Sequence, residues 1–133
     1  MILVDSSVWM DYFKGVKNPQ TEHLDTLLAD ADDELGVADQ VVFEVLRGFQ
    51  SVKAKRRAKA LLLSIRGVEM GGLENALLAA DHYRALRQKG HTIASPIDVL
   101  LASYCVTHGH ALLHRDADFD VMKTLQGLKT WPH

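Results

Sequence analysis

The run HRDADFD, residues 114 to 120, carries aspartate at three alternate positions, Asp116, Asp118 and Asp120. Like charges at that spacing repel, so the run is either a solvated turn or a place where carboxylates hold a cation. Three further acids stand in apolar contexts. Asp5 directly follows the run Ile2 to Val4, Glu44 is embedded in VVFEVLRG, and Asp98 in SPIDVLLAS. A carboxylate in so apolar a stretch must face solvent or be compensated. Each acid also has a structural explanation. Asp5 suits a strand end or a helix cap, although Ser6 or Ser7 could cap the same helix. Glu44 could face solvent and pair with Arg47 at i+3. Ser95, Pro96 and Asp98 fit the N-cap, N1 and N3 positions of a variant capping box, where a carboxylate also suits the positive helix end. Asp118 could cap a helix that begins at Phe119. The alternate aspartates also suggest a calcium loop, which needs Gly at its sixth position and Glu at its twelfth. Counted from Asp116, those positions hold Val121 and Gly127, which excludes it.

Taken together, the acids imply a cation. Several unpaired carboxylates in one cleft would force some of them to protonate, and a divalent ion removes that cost. All-oxygen ligand sets select hard ions, Mg²⁺ or Mn²⁺, which keep several waters and meet substrate phosphates. Two such ions about 4 Å apart can activate a water and stabilise the leaving oxygen of a phosphodiester.

The elements that must position these acids are legible in the apolar pattern. Ile2 to Val4, Leu35 to Val37, Val68 to Met70, Ala111 to Leu113 and Leu128 to Thr130 are short strand candidates. Between them lie helices. One runs from Ser6 or Ser7 to Phe13, and a second opens at Pro19 with Leu24, Leu27 and Leu28 on one face. A third is capped by Asp39 and carries Val41, Val42, Val45 and Leu46 to a stop near Gly48. A basic helix follows from Ser51 to Ile65, then a long one from Glu74 to Lys89 closed by Gly90. The last two run from Ser95-Pro96 to His108, closed by Gly109, and from Phe119 to Leu125. Short strands alternating with helices predict a three-layer α/β/α sandwich on a mainly parallel sheet, as one domain spanning residues 1–133. In such sheets sites gather at the carboxyl ends of strands. Asp5 and the group His114, Arg115 and Asp116 both fall at such ends, far apart in sequence and on one sheet edge.

Composition narrows the partners. A chain that is 47% apolar and 24% charged should bury a real core. A net charge of −2 gives no global push toward nucleic acid, so a polyanion would need a local basic patch or metal ions. Lys53, Lys55, Arg56, Arg57 and Lys59 form such a patch, or a solvated helix face. The single cysteine, Cys105, lies in an apolar helical pattern and reads as a buried free thiol suited to a reducing cytoplasm. The start MILVDSS lacks the basic and long apolar regions of a signal peptide, and no apolar run reaches the roughly 20 residues of a membrane helix. Trp9, Tyr12 and Phe13 lie at helical spacing with Val8 and are expected to pack in the core or a dimer interface rather than stack bases.

MILVDSSVWMDYF, Glu44 with Arg47, PIDVLLASY and HRDADFD, in this order, resemble a PIN-domain ribonuclease, in particular a VapC-type toxin of bacterial type II toxin–antitoxin pairs. The resemblance covers essentially the whole chain. It implies a Mg²⁺- or Mn²⁺-dependent endoribonuclease whose four acids match Asp5, Glu44, Asp98 and Asp116, with Asp118 a further ligand, direct or through water. The small polar residue two places after the first acid matches Ser7, which could orient a ligand or water. Many members have Thr or Ser where this chain has His114, which is either a donor to a carboxylate or a structural histidine. The resemblance further implies a homodimer, a cognate antitoxin that inserts a side chain into the site, and a structured RNA substrate such as tRNA. Arg47 and Arg115 are then candidate phosphate contacts.

Two other classes compete. A dehalogenase-type phosphatase needs a DxD pair after the first strand, where this chain has Asp5-Ser6-Ser7, and a receiver domain needs adjacent acids there and a lysine after the last strand. Neither pattern is present. The remaining alternative is a noncatalytic α/β binding module whose acids are helix caps and surface charge.

Overall fold

Short strands with no polar alternation belong in a sheet covered on both faces. The computed structural model, which describes residues 1–30 and 34–131, has that arrangement. Among the described residues there are five strands and seven helices: β1 (Ile2–Val4), α1 (Ser6–Phe13), α2 (Pro19–Ala29), β2 (Leu35–Ala38), α3 (Asp39–Arg47), α4 (Val52–Leu63), β3 (Arg66–Val68), α5 (Leu73–Gln88), α6 (Pro96–His108), β4 (Ala111–Leu113), α7 (Ala117–Gln126) and β5 (Lys129–Trp131).

The strands form one sheet in the order β3-β2-β1-β4-β5, every neighbouring pair parallel. β1 is central, with Ile2 in register with Leu35 on one side and Ala111 on the other. Successive residues Leu3 and Val4, like Leu112 and Leu113, are buried, so both faces of the central strands are covered. Right-handed crossovers, the rule for parallel units, place α1 to α4 on one face and α5 to α7 on the other. The packing of helix on helix divides the same way. At Gly36 on β2, a side chain would require the flexible Met1 side chain to move. A Cβ there would meet the Met1 sulfur and press on Leu3 Cδ2.

The core contains Trp9, fully buried, with its ring stacked on Phe13 at 5.8 Å. Phe13 in turn meets Phe49 edge-on. Cys105 is a buried free thiol, and burial pushes its pKa up to about 12. No helix among the described residues is long and apolar enough to cross a membrane.

Several boundaries differ from the sequence expectation for local reasons. β3 lies at Arg66–Val68 rather than Val68–Met70, because an edge strand can leave Arg66 and Gly67 exposed while pairing with Gly36–Ala38. Met70 is instead buried in the core. Its N–H donates to Asp39 Oδ1 at 3.0 Å. Asp39 is therefore not the cap of α3. β2 runs directly into the helix, so Ala38 holds the cap position without a side-chain bond. β5 begins at Lys129 rather than Leu128, and α7 begins at Ala117 rather than Phe119.

Candidate metal centre

Leaving β1, the sheet order proceeds through β2 to β3, then returns across β1 to β4. The crevice between the carboxyl ends of β1 and β4 is the switch point where such sheets bind ligands. Asp5 leaves β1 into that crevice as the N-cap of α1. Its Oδ2 accepts the Ser7 hydroxyl at 2.6 Å and the Ser7 amide at 3.3 Å. Oδ1 is buried with no hydrogen-bond partner among the described residues. Neither serine caps α1. The aspartate does, and Ser7 serves the aspartate.

β4 delivers Asp116, which is the N-cap of α7. Its Oδ1 accepts the Asp118 amide at 2.9 Å. Asp118, expected as the cap, instead lies inside the helix, and its Oδ2 accepts the Ala94 amide at 3.2 Å. α6 delivers Asp98 in its first turn. Ser95 makes no side-chain capping bond, so the expected capping box does not form and Asp98 is not held by it. One carboxylate oxygen from each of Asp98, Asp116 and Asp118 lies within 4.8 Å of the other two.

Glu44 reaches the same charge system from α3. Val41 and Val45 fix the buried face of that helix, which leaves Glu44 half-buried at its flank with Oε1 unpartnered among the described residues. Burial raises its pKa, and so does the charge of Asp5, while the Ser6 hydroxyl and Arg47 pull it back. It is therefore not the freely exposed partner of Arg47. Arg47 lies over the Phe43 ring, 5.5 Å from its centroid.

The electrostatics are those of unneutralised acids. Burial pushes Asp98 from its ordinary 3.8 up to about 8, reinforced by the charges of Asp5, Asp116, Glu44 and Asp118. Asp5 is raised by burial and by Asp116, and is held back by its bonds from Ser7 and Ser6. These five acids thus interact as one group. Oxygen donors alone, spaced for a shared ligand and carrying buried free oxygens on Asp5 and Glu44, fit a hard divalent cation. Asp120 stays outside, exposed on α7.

The basic candidates divide. Arg115 is half-exposed and ion-paired to Asp11 at 3.2 Å. Lys53, Lys55, Arg56, Arg57 and Lys59 lie along α4, all five exposed. His114 is buried, and its Nδ1 accepts the Asp116 amide at 3.1 Å. Of its two expected roles, donor to a carboxylate or structural histidine, neither included this acceptance from backbone; Nε2 lies 3.6 Å from Asp120 Oδ1. Sequence reasoning missed three participants: Ser6 beside Glu44, the Ala94 amide beneath Asp118, and Asp11 opposite Arg115. A backbone donor leaves no sequence signal, whereas Asp11, one helical turn beyond Ser7, could have been found.

Comparisons agree with this geometry. The PIN domain family profile matches residues 2–125. Ribonuclease VapC11 of Mycobacterium tuberculosis is 29% identical over 129 residues, which is 97% of this chain and 96% of that protein. Among solved structures, VapBC2 from Rickettsia felis bound to a promoter DNA fragment superposes with a TM-score of 0.76 at 16% identity, covering 98% of this chain and 97% of that one. The sarcin-ricin-loop-cleaving toxin VapC20 of Mycobacterium tuberculosis gives 0.68 at 19% identity, over 91% of this chain and 94% of that one. At these identities the structural matches are likenesses of fold.

Proposed function

We propose, from the premise that the chain belongs to the PIN domain family, that it is a metal-dependent endoribonuclease, the toxin of a toxin–antitoxin pair. The supporting observation is the trio of carboxylate oxygens from Asp98, Asp116 and Asp118 within 4.8 Å of one another at the sheet's switch point. Asp5, Glu44, Asp98 and Asp116 are the catalytic acids, with Asp118 a further ligand of Mg²⁺ or Mn²⁺. A bound ion supplies a nucleophilic water of lowered pKa and stabilises the charge that develops on the leaving oxygen. The chain's own residues do the rest. Ser7 holds one oxygen of Asp5, and the other is buried without a hydrogen-bond partner among the described residues. Asp116 and Asp118 each spend one oxygen on a backbone amide and keep one. Arg47, beside Glu44, and Arg115, half-exposed beside Asp116, meet RNA phosphates, and the α4 cations track the backbone. Such a chain acts in the cytoplasm as a homodimer of single 1–133 domains. A cognate antitoxin restrains it, a reading supported by its likeness in fold to a toxin-antitoxin complex from Klebsiella pneumoniae.

One observation favours the noncatalytic alternative: Asp5 and Asp116 both cap helices. Capping accounts for one oxygen of each and not for Asp98, whose pKa is raised to about 8 with no capping bond.

The test is to incubate the partner-free chain with total RNA in Mg²⁺ or Mn²⁺ against chelator, with Asp98→Ala as control. Discrete cleavage that needs metal and vanishes in the variant is expected. If calorimetry finds no Mn²⁺ binding by the wild-type chain, the proposal falls.

A further inference from the structure

His114 follows the last residue of β4 and is 3% exposed. Because Nδ1 accepts the Asp116 N–H, the ring proton sits on Nε2. Nε2 lies 3.6 Å from Asp120 Oδ1, beyond hydrogen-bond length, and is buried without another partner among the described residues. The ring packs on Phe119, with centroids 5.0 Å apart. A buried nitrogen left unsatisfied costs free energy. An apolar side chain would pack on Phe119 without that cost. What only the imidazole supplies here is the Nδ1 acceptor.

That acceptor begins a relay of three backbone donors. Asp116 N–H bonds to His114 Nδ1, Asp118 N–H to Asp116 Oδ1, and Ala94 N–H to Asp118 Oδ2. Ala94 immediately precedes Ser95 and the α6 turn that carries Asp98. The relay therefore runs from the end of β4 to the segment leading into Asp98. Along it, two carboxylates each have one oxygen held.

We infer that His114 is the positioning residue of the metal centre: its Nδ1 fixes the Asp116 peptide, so that Asp116 and Asp118 present their remaining oxygens at ligand spacing. This rests on the metal-centre reading above. Two variants separate the acceptor from the packing. His114→Leu keeps an apolar body against Phe119 and removes the acceptor. His114→Asn keeps an acceptor near the Nδ1 position in a smaller side chain.

Mn²⁺ affinity by calorimetry and amide hydrogen exchange in the metal-free chain are measured for both. His114→Leu is expected to weaken Mn²⁺ binding by about 10- to 100-fold, the usual effect of removing a residue that orients a ligand. It should also speed exchange at the Asp116 amide while β1 and β4 amides stay protected. His114→Asn is expected to stay close to wild type in both. The inference is overturned if His114→Leu matches wild type, or if His114→Asn falls further than His114→Leu, which would mean the ring only fills space. If wild type itself binds no Mn²⁺, the function reading fails, and exchange at the Asp116 amide alone decides whether His114 holds the turn.

Discussion

The Ser7 hydroxyl donates to Asp5 Oδ2 at 2.6 Å, the shortest side-chain hydrogen bond at the acidic crevice. It stabilises the ionised carboxylate and so opposes the burial that raises the Asp5 pKa. Ser7→Ala should raise that pKa further. Asp5 then stays protonated to higher pH, and the rise of Mn²⁺ affinity with pH shifts upward. Calorimetric titrations across a pH series check this; an unshifted profile would remove Ser7 from the site.

Asp98 predicts a pH-dependent stability. In the folded, metal-free chain it holds its proton to about pH 8, whereas unfolded it ionises near 3.8. Between those values the folded state binds the extra proton, so unfolding becomes easier as pH rises. Asp98→Asn lacks this dependence. In chelator, its Tm advantage over wild type should grow from pH 4 to pH 8 and level off above. Added Mn²⁺ should stabilise wild type and not the variant.

Asp116 does two jobs that substitution separates. Asn caps a helix as well as Asp does, whereas Ala does not. Asp116→Asn should abolish metal binding and cleavage while keeping the thermal stability of the chelated wild type or exceeding it. Asp116→Ala should be less stable than Asp116→Asn by about 1 kcal/mol, the usual worth of an N-cap. Paired thermal melts and Mn²⁺ titrations check both.

Lys55, Arg56 and Lys59 lie exposed on α4. Changing all three to Gln should weaken RNA binding without altering Mn²⁺ affinity. The plot of log affinity against log salt should become shallower by roughly 0.7 for each phosphate of single-stranded RNA that is no longer neutralised. An unchanged slope would leave α4 as a solvated face.

Much of this layout was readable in the residues, and the exceptions have physical causes. Apolar runs such as Ile2 to Val4 and Ala111 to Leu113 have few alternatives to a buried strand, and the structure places both there. The Ser6–Phe13 and Pro96–His108 helices follow from their starts and from the stop at Gly109, which adopts a left-handed φ of 69°. Caps were the weak point. Ser6, Ser7, Asp39 and Asp118 each have the right chemistry but do not hold the N-cap, whereas Ser95 holds it without a side-chain bond. The choice among neighbouring candidates depends on where a strand releases the chain, which is a tertiary fact. At the site, the acids were visible because carboxylates in apolar runs need explaining. Their grouping was not: nothing local brings Ala94 to Asp118 or turns the His114 Nδ1 toward a backbone amide.

The central place of β1 has a consequence for the chain during its own synthesis. Residues 2–4 lie between β2 and residues 111–113, and the acids that complete the crevice follow directly after the latter. Until residues 111–113 have been made, one side of the first strand has no neighbour, and Asp5 has Glu44 but not yet Asp116 and Asp118 beside it. The acidic crevice is therefore assembled only when β4 adds to the central strand.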